Sequence, residues 1–257
     1  SNFSRIKCKR KFSKSIDDDN YERLIYLQAE DEAIVQGNLI IEDEATAVTL
    51  SAISFAVAHA RDFPADVESI IGCNVLDFCI PQWKGVKEQH EWASLVLEKR
   101  DEYMHMDMRD LQEKFVSICA QSFTYGTHWF YVSKLSNERG TVLQTLPRDL
   151  LIGFNAQGMH CFTFDLTYVA SFIYADIYRW GGSVSQFSLV IWDESAGESF
   201  ELVVATTQSA DMAASILDHI RCLMDAQEAT EGQEHTARFD DTDSERLIMR
   251  KKQLSGY

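Results

Sequence analysis

Near Tyr125 the spacing of apolar residues switches from helical to alternating. A 3.6-residue period belongs to amphipathic helices and a two-residue period to half-buried strands, so the chain divides into a helical half and a β-rich half. In the first half Tyr21 to Gln36 carries Tyr21, Leu24, Leu27, Ile34 and Val35 on roughly one face. Asp17 to Asn20 precede it as helix-start residues, and Gly37-Asn38 stops it. A second helix begins near Asp43, with Val48, Ala52, Phe55 and His59 at three- and four-residue steps. A third runs from about Lys87 to Tyr103 with Trp92, Leu95, Val96 and Tyr103 inward. A fourth runs from about Met108 to Ser122 with Leu111, Phe115, Ile118 and Cys119 inward. Between the second and third, Phe63-Pro64, Gly72 and Ile80-Pro81 mark loops and short helices. Amphipathic helices with no strand between them make a bundle.

The second half reads as closely spaced strands with polar turns, the pattern of an antiparallel sandwich. Thr127 to Lys134 is β-prone, and Ser136 to Gly140 is a polar linker. Leu150–Phe154 and Met159–Phe164 form a hairpin around Asn155-Ala156-Gln157-Gly158. Further strands are expected at Ala170–Tyr174, Ile177–Gly181, Phe187–Trp192 and Phe200–Thr206. A small sheet leaves an open side, and the stripe Ala213, Ile216, Leu217, Ile220, Leu223 and Met224 supplies a helix to close it at Ser209–Gln227. The fold class is α+β, with a helical bundle followed by an antiparallel β-sandwich capped by a C-terminal helix. The boundaries are 17–124 for the bundle, 125–227 for the sandwich and 228–257 for a polar tail in which Leu247-Ile248-Met249 is one apolar patch.

Of the 257 residues, 46% are hydrophobic and 25% charged, enough for two packed cores. No apolar run reaches the roughly 18–20 residues of a membrane span. The net charge of −16 opposes nucleic-acid binding, which needs clustered Lys and Arg. One segment departs from it: Arg5, Lys7, Lys9, Arg10, Lys11 and Lys14 form a basic run. Such a run binds anionic lipid, with Lys7, Lys9, Arg10 and Lys11 as the contacts, or is simply a solvated strand. The cysteines Cys8, Cys73, Cys79, Cys119, Cys161 and Cys222 are scattered, without zinc spacing or a disulfide framework, which fits a reducing cytoplasm.

Searches for chemistry return little. Phosphate-loop, dinucleotide and nucleophile-elbow motifs are absent. Ser183 follows Gly181-Gly182 but sits in a turn between strands, and Cys73 and Cys79 lack an identifiable base. The acidic clusters Glu30-Asp31-Glu32 and Glu42-Asp43-Glu44 read as solvated faces and caps. His59 reads as a packed core or interface histidine, and His128 and His160 as strand residues in packing or surface roles. No enzyme, cofactor or metal is expected.

Several strings, in order, resemble the FERM domain. Cys8-Lys9-Arg10-Lys11-Phe12 looks like the last strand of its ubiquitin-like first lobe, which would leave residues 1–16 as a remnant of that lobe. Tyr26-Leu27-Gln28-Ala29, Ile34 to Asn38, and Glu42-Asp43-Glu44-Ala45 through Ala58 resemble the start of the helical second lobe. Phe78 to Trp83 is similar to a later segment of that lobe, Phe123 to Phe130 to the exit into the third lobe, and Leu151 to His160 to the third lobe's opening hairpin. The likeness spans about Phe12 to Gln227. It implies an acyl-CoA-binding-protein-like bundle and a PH/PTB-like sandwich in a non-catalytic adaptor of the cytoplasmic cortex or cytoskeleton. Within the family, Ile177 to Ser183 with Phe187-Ser188-Leu189 is similar to talin's third lobe, where an integrin tail pairs with that strand. Gly153, Asn155, Gly158 and His160 are similar to FERM domains at the tails of myosins and of a plant kinesin.

A strand edge offers unpaired backbone groups to an extended peptide. The expected peptide or cytoplasmic-tail site is therefore Ile177, Tyr178, Arg179, Trp180 and Gly181, facing Ile216, Ile220 and Met224 of the closing helix. Arg179 and Trp180 should lie on opposite faces. Trp180 is either a partner-facing anchor or part of the core. The third lobe is acidic, so a neutral or basic peptide suits it better than a phosphoinositide.

Overall fold

A computed structural model of the chain describes residues 19–59, 62–136, 146–194 and 196–231, the side chains of Asp19 and residues 226–231 excepted. The basic run and the polar tail after Glu231 lie outside the described residues. The chain divides into two compact units between Gly126 and Thr127.

The first unit is a helical bundle. α1 (Asp19–Glu30) passes into one π turn (Asp31–Val35), followed by α2 (Glu44–Ala58), α3 (Val67–Gly72), α4 (Gln89–Tyr103) and α5 (Met108–Cys119). Side-chain caps fix several starts by satisfying amide donors that have no partner within the helix. Asp43 accepts from the Thr46 amide at 2.8 Å, Asp66 from Ser69 at 2.9 Å and Asp107 from Asp110 at 2.8 Å. Helix α2 is apolar nearly all round and is buried from Leu50 through Ala56, as a central helix must be. Trp92 and Tyr103 from α4, Phe115 from α5 and Tyr26 from α1 pack around it, fully buried. His59 is half-buried, its ring 4.5 Å from that of Phe55 and 5.7 Å from that of Phe78.

The expected inner face of α1 needs correction. Leu24, Leu27 and Val35 are exposed, whereas Tyr26, Ala29, Ala33 and Ile34 are buried. Tyr26 decides the rotation. Its ring meets Phe115 edge-on at 5.3 Å, and its hydroxyl donates to Glu30 Oε1 at 2.6 Å. The π turn then advances the buried face and brings in Ile34.

The second unit is a seven-stranded antiparallel sheet ordered β4-β3-β2-β1-β7-β6-β5. The strands are β1 (His128–Lys134), β2 (Asp149–Asn155), β3 (Gly158–Phe162), β4 (Tyr168–Phe172), β5 (Ile177–Gly182), β6 (Gln186–Asp193) and β7 (Glu198–Ala205). β1 and β7 meet only at Ser133↔Ala205 and Lys134↔Val204. The sheet therefore folds at that corner into two halves that share one core. Phe154, Met159 and Cys161 come from one half, and Phe187, Leu189, Ile191 and Leu202 from the other. The long helix α6 (Ser209–Glu231) closes it with Met212 and Ile216.

The hairpin between β2 and β3 forms in the expected place, with Asn155 opposite Gly158. Its second strand ends at Phe162 rather than Phe164, because Thr163 accepts and donates across a tight turn to Thr167, and Leu166 takes a φ of +64°. Gly153 has a steric reason. A Cβ there would lie 2.4 Å from Thr127 Cγ2 and 2.9 Å from Trp129 Cζ3, inside contact distance.

Candidate functional site

Strand β5 ends the sheet, with β6 as its neighbour on one side. The register shifts at a bulge between Ile177 and Arg179, and the ring of Tyr178 there meets Trp192 at 6.2 Å. Past the bulge Arg179 pairs with Val190 and Trp180 with Leu189. Leu189 is a core residue, so Trp180 turns inward and Arg179 outward, on opposite faces as expected. Tyr178, Arg179 and Gly181 are exposed. Trp180 is half-buried and packs on the rim of the core.

Helix α6 packs more extensively on β5 than on any other strand. The close approach is at its first turn. A Cβ on Gly182 would lie 2.8 Å from Ser209 Cβ and 2.6 Å from the Gln186 carbonyl oxygen, so only glycine lets the strand end pass under the helix. The Ser209 hydroxyl donates to the Ser183 carbonyl there. At Gly181 the space around the missing Cβ is open.

At 100° per residue the side chains of α6 sort into three sets. Met212, Ser215, Ile216 and His219 are buried. Ser215 and His219 form the flank turned toward β1, since Ser215 Oγ lies 3.1 Å from His128 Nδ1. Ala213, Ile220 and Met224 lie on the other flank, half-buried, and Leu217 lies outermost at 41% exposed. Trp180, Ala213, Ile220 and Leu223 all pack against the same core while keeping part of their surface exposed.

The expected site residues thus divide. Tyr178, Arg179, Trp180 and Gly181 occupy the accessible strand edge, and Ile220 and Met224 the accessible flank of α6. Ile177 and Ile216, at 4% and 0% exposed, are core and cannot meet a ligand without unfolding the wall they support. The reason is periodicity: Ile177 stands opposite Ile191 in the core row, and Ile216 sits in the middle of the buried face. Lys7, Lys9, Arg10 and Lys11 lie outside the described residues. The sequence places Ala213, Leu217 and Leu223 in the helix stripe but outside the expected peptide site. The glycines after Trp180 suit a close backbone approach, and of the two it is Gly182 that meets a neighbour closely.

Reactive side chains point away from catalysis. Burial pushes the Cys79 thiol up to about 11, and its hydrogen goes to the Val75 carbonyl at 3.4 Å, so it stays protonated. Ser183 sits in the β5–β6 turn, its amide bonded to the Gln186 carbonyl at 2.8 Å. Among the described residues no helix is long and apolar enough to cross a membrane.

Comparison with known proteins bears on both units. Residues 12–130 match the FERM central domain, and residues 135–224 match the PTB domain of the IRS-1 type. The human myosin 7b C-terminal MyTH4-FERM domain, solved in complex with the harmonin-a PDZ3 domain, superposes with a TM-score of 0.60 at 14% identity, over 77% of this chain and 38% of that one. The MyTH4-FERM MF2 domain of Dictyostelium discoideum myosin VII gives 0.57 at 14% identity, over 77% and 36%. The Drosophila Merlin FERM and C-terminal domain complex gives 0.56 at 15% identity, over 85% and 70%. The chain therefore spans under two fifths of the length of the two myosin structures. At these identities the likeness is one of fold. No curated protein sequence matches the chain.

Proposed function

Because the chain carries the second and third lobes of a FERM domain, we propose that it is a non-catalytic adaptor module that takes an extended peptide or cytoplasmic tail along β5, beside α6. FERM and PTB-type domains are in general interaction modules, which supports the non-catalytic reading. The observation that carries the site is the exposed edge of β5 with α6 packed beside it, where Trp180, Ala213, Ile220 and Leu223 are only half covered. Main-chain hydrogen bonds to β5 would supply the shared part of the affinity, and these side chains the selectivity.

The charge of this lobe points to the ligand. Between Thr141 and Gln227, Arg148, Arg179 and Arg221 stand against Asp149, Asp165, Asp176, Asp193, Glu194, Glu198, Glu201, Asp211, Asp218 and Asp225, and the residues from 125 to 140 add Lys134, Glu138 and Arg139 without reversing the balance. The field favours a neutral or basic segment, and its association should weaken as salt rises. The parent protein would be a larger cytoskeletal one, such as a motor tail, consistent with the fold likeness to myosin MyTH4-FERM domains.

The test is amide chemical-shift mapping with an extended peptide selected from a displayed library. Shifts centred on residues 178–182 and on the Ala213–Met224 face are expected. A binding peptide that shifts the helical lobe and leaves β5 unmoved would overturn the reading.

A second reading has its own observation, the six basic residues between Arg5 and Lys14 in a chain of net charge −16. On this reading the segment binds anionic lipid. Changing Lys7, Lys9, Arg10 and Lys11 together to Glu should abolish pelleting with phosphatidylserine vesicles, and pelleting that survives places the lipid contact elsewhere.

A further inference from the structure

In an antiparallel sheet with its core on one side, the outward row of each strand meets water and is commonly polar. The half of the sheet made by β1 to β4 departs from that pattern. Phe130 and Val132 of β1 point into the core, so Trp129 and Tyr131 point out. Tyr131 stands opposite Leu151, and Leu151 opposite Phe162, so this outward row is apolar across three strands. Leu151 and Phe162 are 4% and 0% exposed, yet they stand apart from the core that α6 closes. Trp129 lies against Gly153 and meets Phe162 edge-on at 5.2 Å, and Phe164 meets Tyr131 edge-on at 5.4 Å. Tyr131 and Phe164 are themselves 65% and 55% exposed. Adjoining aromatic surface of this kind marks interaction sites.

The face carries charge as well. Asp149, at the next outward position beyond Leu151, and Asp165, beside Phe164, are exposed on its rim. A hydrogen bond from Thr163 holds the Asp165 carboxyl below the usual range, and the Ser133 hydroxyl donates to Asp149 at 2.6 Å. Lys134 is the one lysine or arginine of these four strands, and it donates to the Leu146 carbonyl at 2.6 Å.

We propose that this aromatic face is the docking surface for a segment of the same chain, residues 246–252.

The first reason is composition. Arg246-Leu247-Ile248-Met249-Arg250-Lys251-Lys252 joins three consecutive apolar residues to four basic ones, in a chain whose net charge is −16. The apolar side chains can cover Tyr131 and Phe164, while the cations find ring faces and the carboxylates of Asp149 and Asp165. The second reason is reach. Leu247 comes sixteen residues after the end of α6 at Glu231. An extended chain of that length spans about 50 Å, against the roughly 30 Å diameter of a small domain. Such a tether keeps the segment at an effective concentration in the millimolar range, so a weak contact is enough to hold it. The third reason is the alternative. Arg179 stands exposed on the edge of β5, which makes the groove beside α6 the less favourable of the two surfaces for a segment with four cations. The docking uses β1 to β4 rather than β5, so it stands or falls apart from the groove reading.

The test compares amide spectra of the whole chain, native and with Leu247→Ser, Ile248→Ser and Met249→Ser made together. Outside the tail, differences are expected at Trp129 to Tyr131 and across residues 162–168, and they should persist unchanged on about tenfold dilution. Differences centred on residues 178–182 and 213–224, or none outside the tail, overturn the proposal. Differences that fade on dilution overturn it too, because the occupant is then a second copy. A peptide of residues 244–254 added to the substituted chain should restore the native shifts with a Kd on the order of 1 mM. Phe164→Ala, made in that substituted chain, should raise this Kd at least about threefold. An unchanged Kd would place the segment on another surface and end the proposal.

Discussion

The two lobes differ in how they use polar groups. In the helical lobe the aspartate caps sit at the ends of elements, and the buried hydroxyls are turned to helix neighbours, Ser51 to the Ala47 carbonyl and Ser54 to Glu30. Asp43, Asp66 and Asp107 cap helices at the surface, hydrogen bonds hold the Asp43 and Asp66 carboxyls below the usual range, and large apolar side chains around Phe55, Trp92 and Phe115 fill most of the interior. In the β lobe polar groups penetrate. Asn155 accepts from the Gln157 amide at 2.8 Å, donates to Thr127 at 3.1 Å and holds His160 Nε2 at 3.0 Å, while His160 Nδ1 meets Ser171 at 2.7 Å. A closed apolar core resists change of shape. A sheet that ends at β4 and at β5 among the described residues, with a polar seam and a helix for a lid, has places where it can give. The difference suggests that the helical lobe supplies stability and the β lobe recognition.

The largest expected effect tests the closed core. Phe115 is fully buried, so Phe115→Ala should destabilise the helical lobe by about 3–5 kcal/mol. Denaturant unfolding that reported a loss below about 1 kcal/mol would mean that the bundle repacks freely, and the contrast between the lobes would lose its basis.

Next comes the polar seam. Asn155→Ala removes the group that joins Thr127 before β1, the hairpin turn and β3, and leaves buried polar groups without their partner, so a loss of about 2–3 kcal/mol is expected. The seam also carries a pH signature. Burial lowers the pKa of His160, so that ring folds in its neutral form. As pH falls through about 6.5 the unfolded chain binds the proton first, so this contribution is full above that pH and is lost as pH falls toward the depressed folded value. His160→Gln should remove that small part of the acid sensitivity. A larger acid sensitivity in the variant would contradict the sign.

Much of this arrangement was legible in the sequence. The switch of period near Tyr125 shows a helical part followed by a β-rich one, because burying one face imposes 3.6- or two-residue spacing whatever the tertiary detail. The strings around Gly153, Asn155, Gly158 and His160 read as a resemblance, and the structure gives them reasons: one glycine clears space for Trp129, and Asn155 and His160 form the seam. The rotation of α1 was not legible. Leu24 and Leu27 are as apolar as any residue there, and only packing against α5 shows that Tyr26 wins. Nor could spacing show that Ile177 and Ile216 are core while their neighbours line a groove. Neighbouring residues of one apolar stripe differ there by a single turn of the helix or one step of the strand.

Trp180 marks the boundary between recognition and stability. It is half-buried, so Trp180→Ala should cost the fold about 1–2 kcal/mol, less than a core aromatic would. Peptide affinity should drop by about 2 kcal/mol, or roughly thirtyfold. Melting curves and a binding isotherm, each measured on folded protein, separate the two. A loss of about 3–5 kcal/mol in stability with unchanged affinity would make Trp180 a core residue and move the site away from β5.

The smallest effect on the fold is expected one residue from the largest in the same helix. Ile216 and Leu217 are adjacent and nearly isochemical, yet Ile216 is 0% exposed and Leu217 is 41% exposed. The 100° between them turns Ile216 into the core and sets Leu217 at the outer lip, beyond Ala213 and Met224. Truncating Leu217 to Ala leaves no cavity, because its outer side faces water, and should change stability by less than about 0.5 kcal/mol. If a peptide lies between β5 and α6, its side chains would cover that lip, and losing the isobutyl group should cost about 1 kcal/mol of affinity, near fivefold. Arg221, a turn further along but 71% exposed at its side chain and on the back of the helix, serves as the comparison, and Arg221→Ala should alter affinity only through salt-dependent charge. Equal losses for Leu217→Ala and Arg221→Ala at high salt would mean that the ligand does not distinguish the two sides of α6, and the groove would then be the wrong place to look for it.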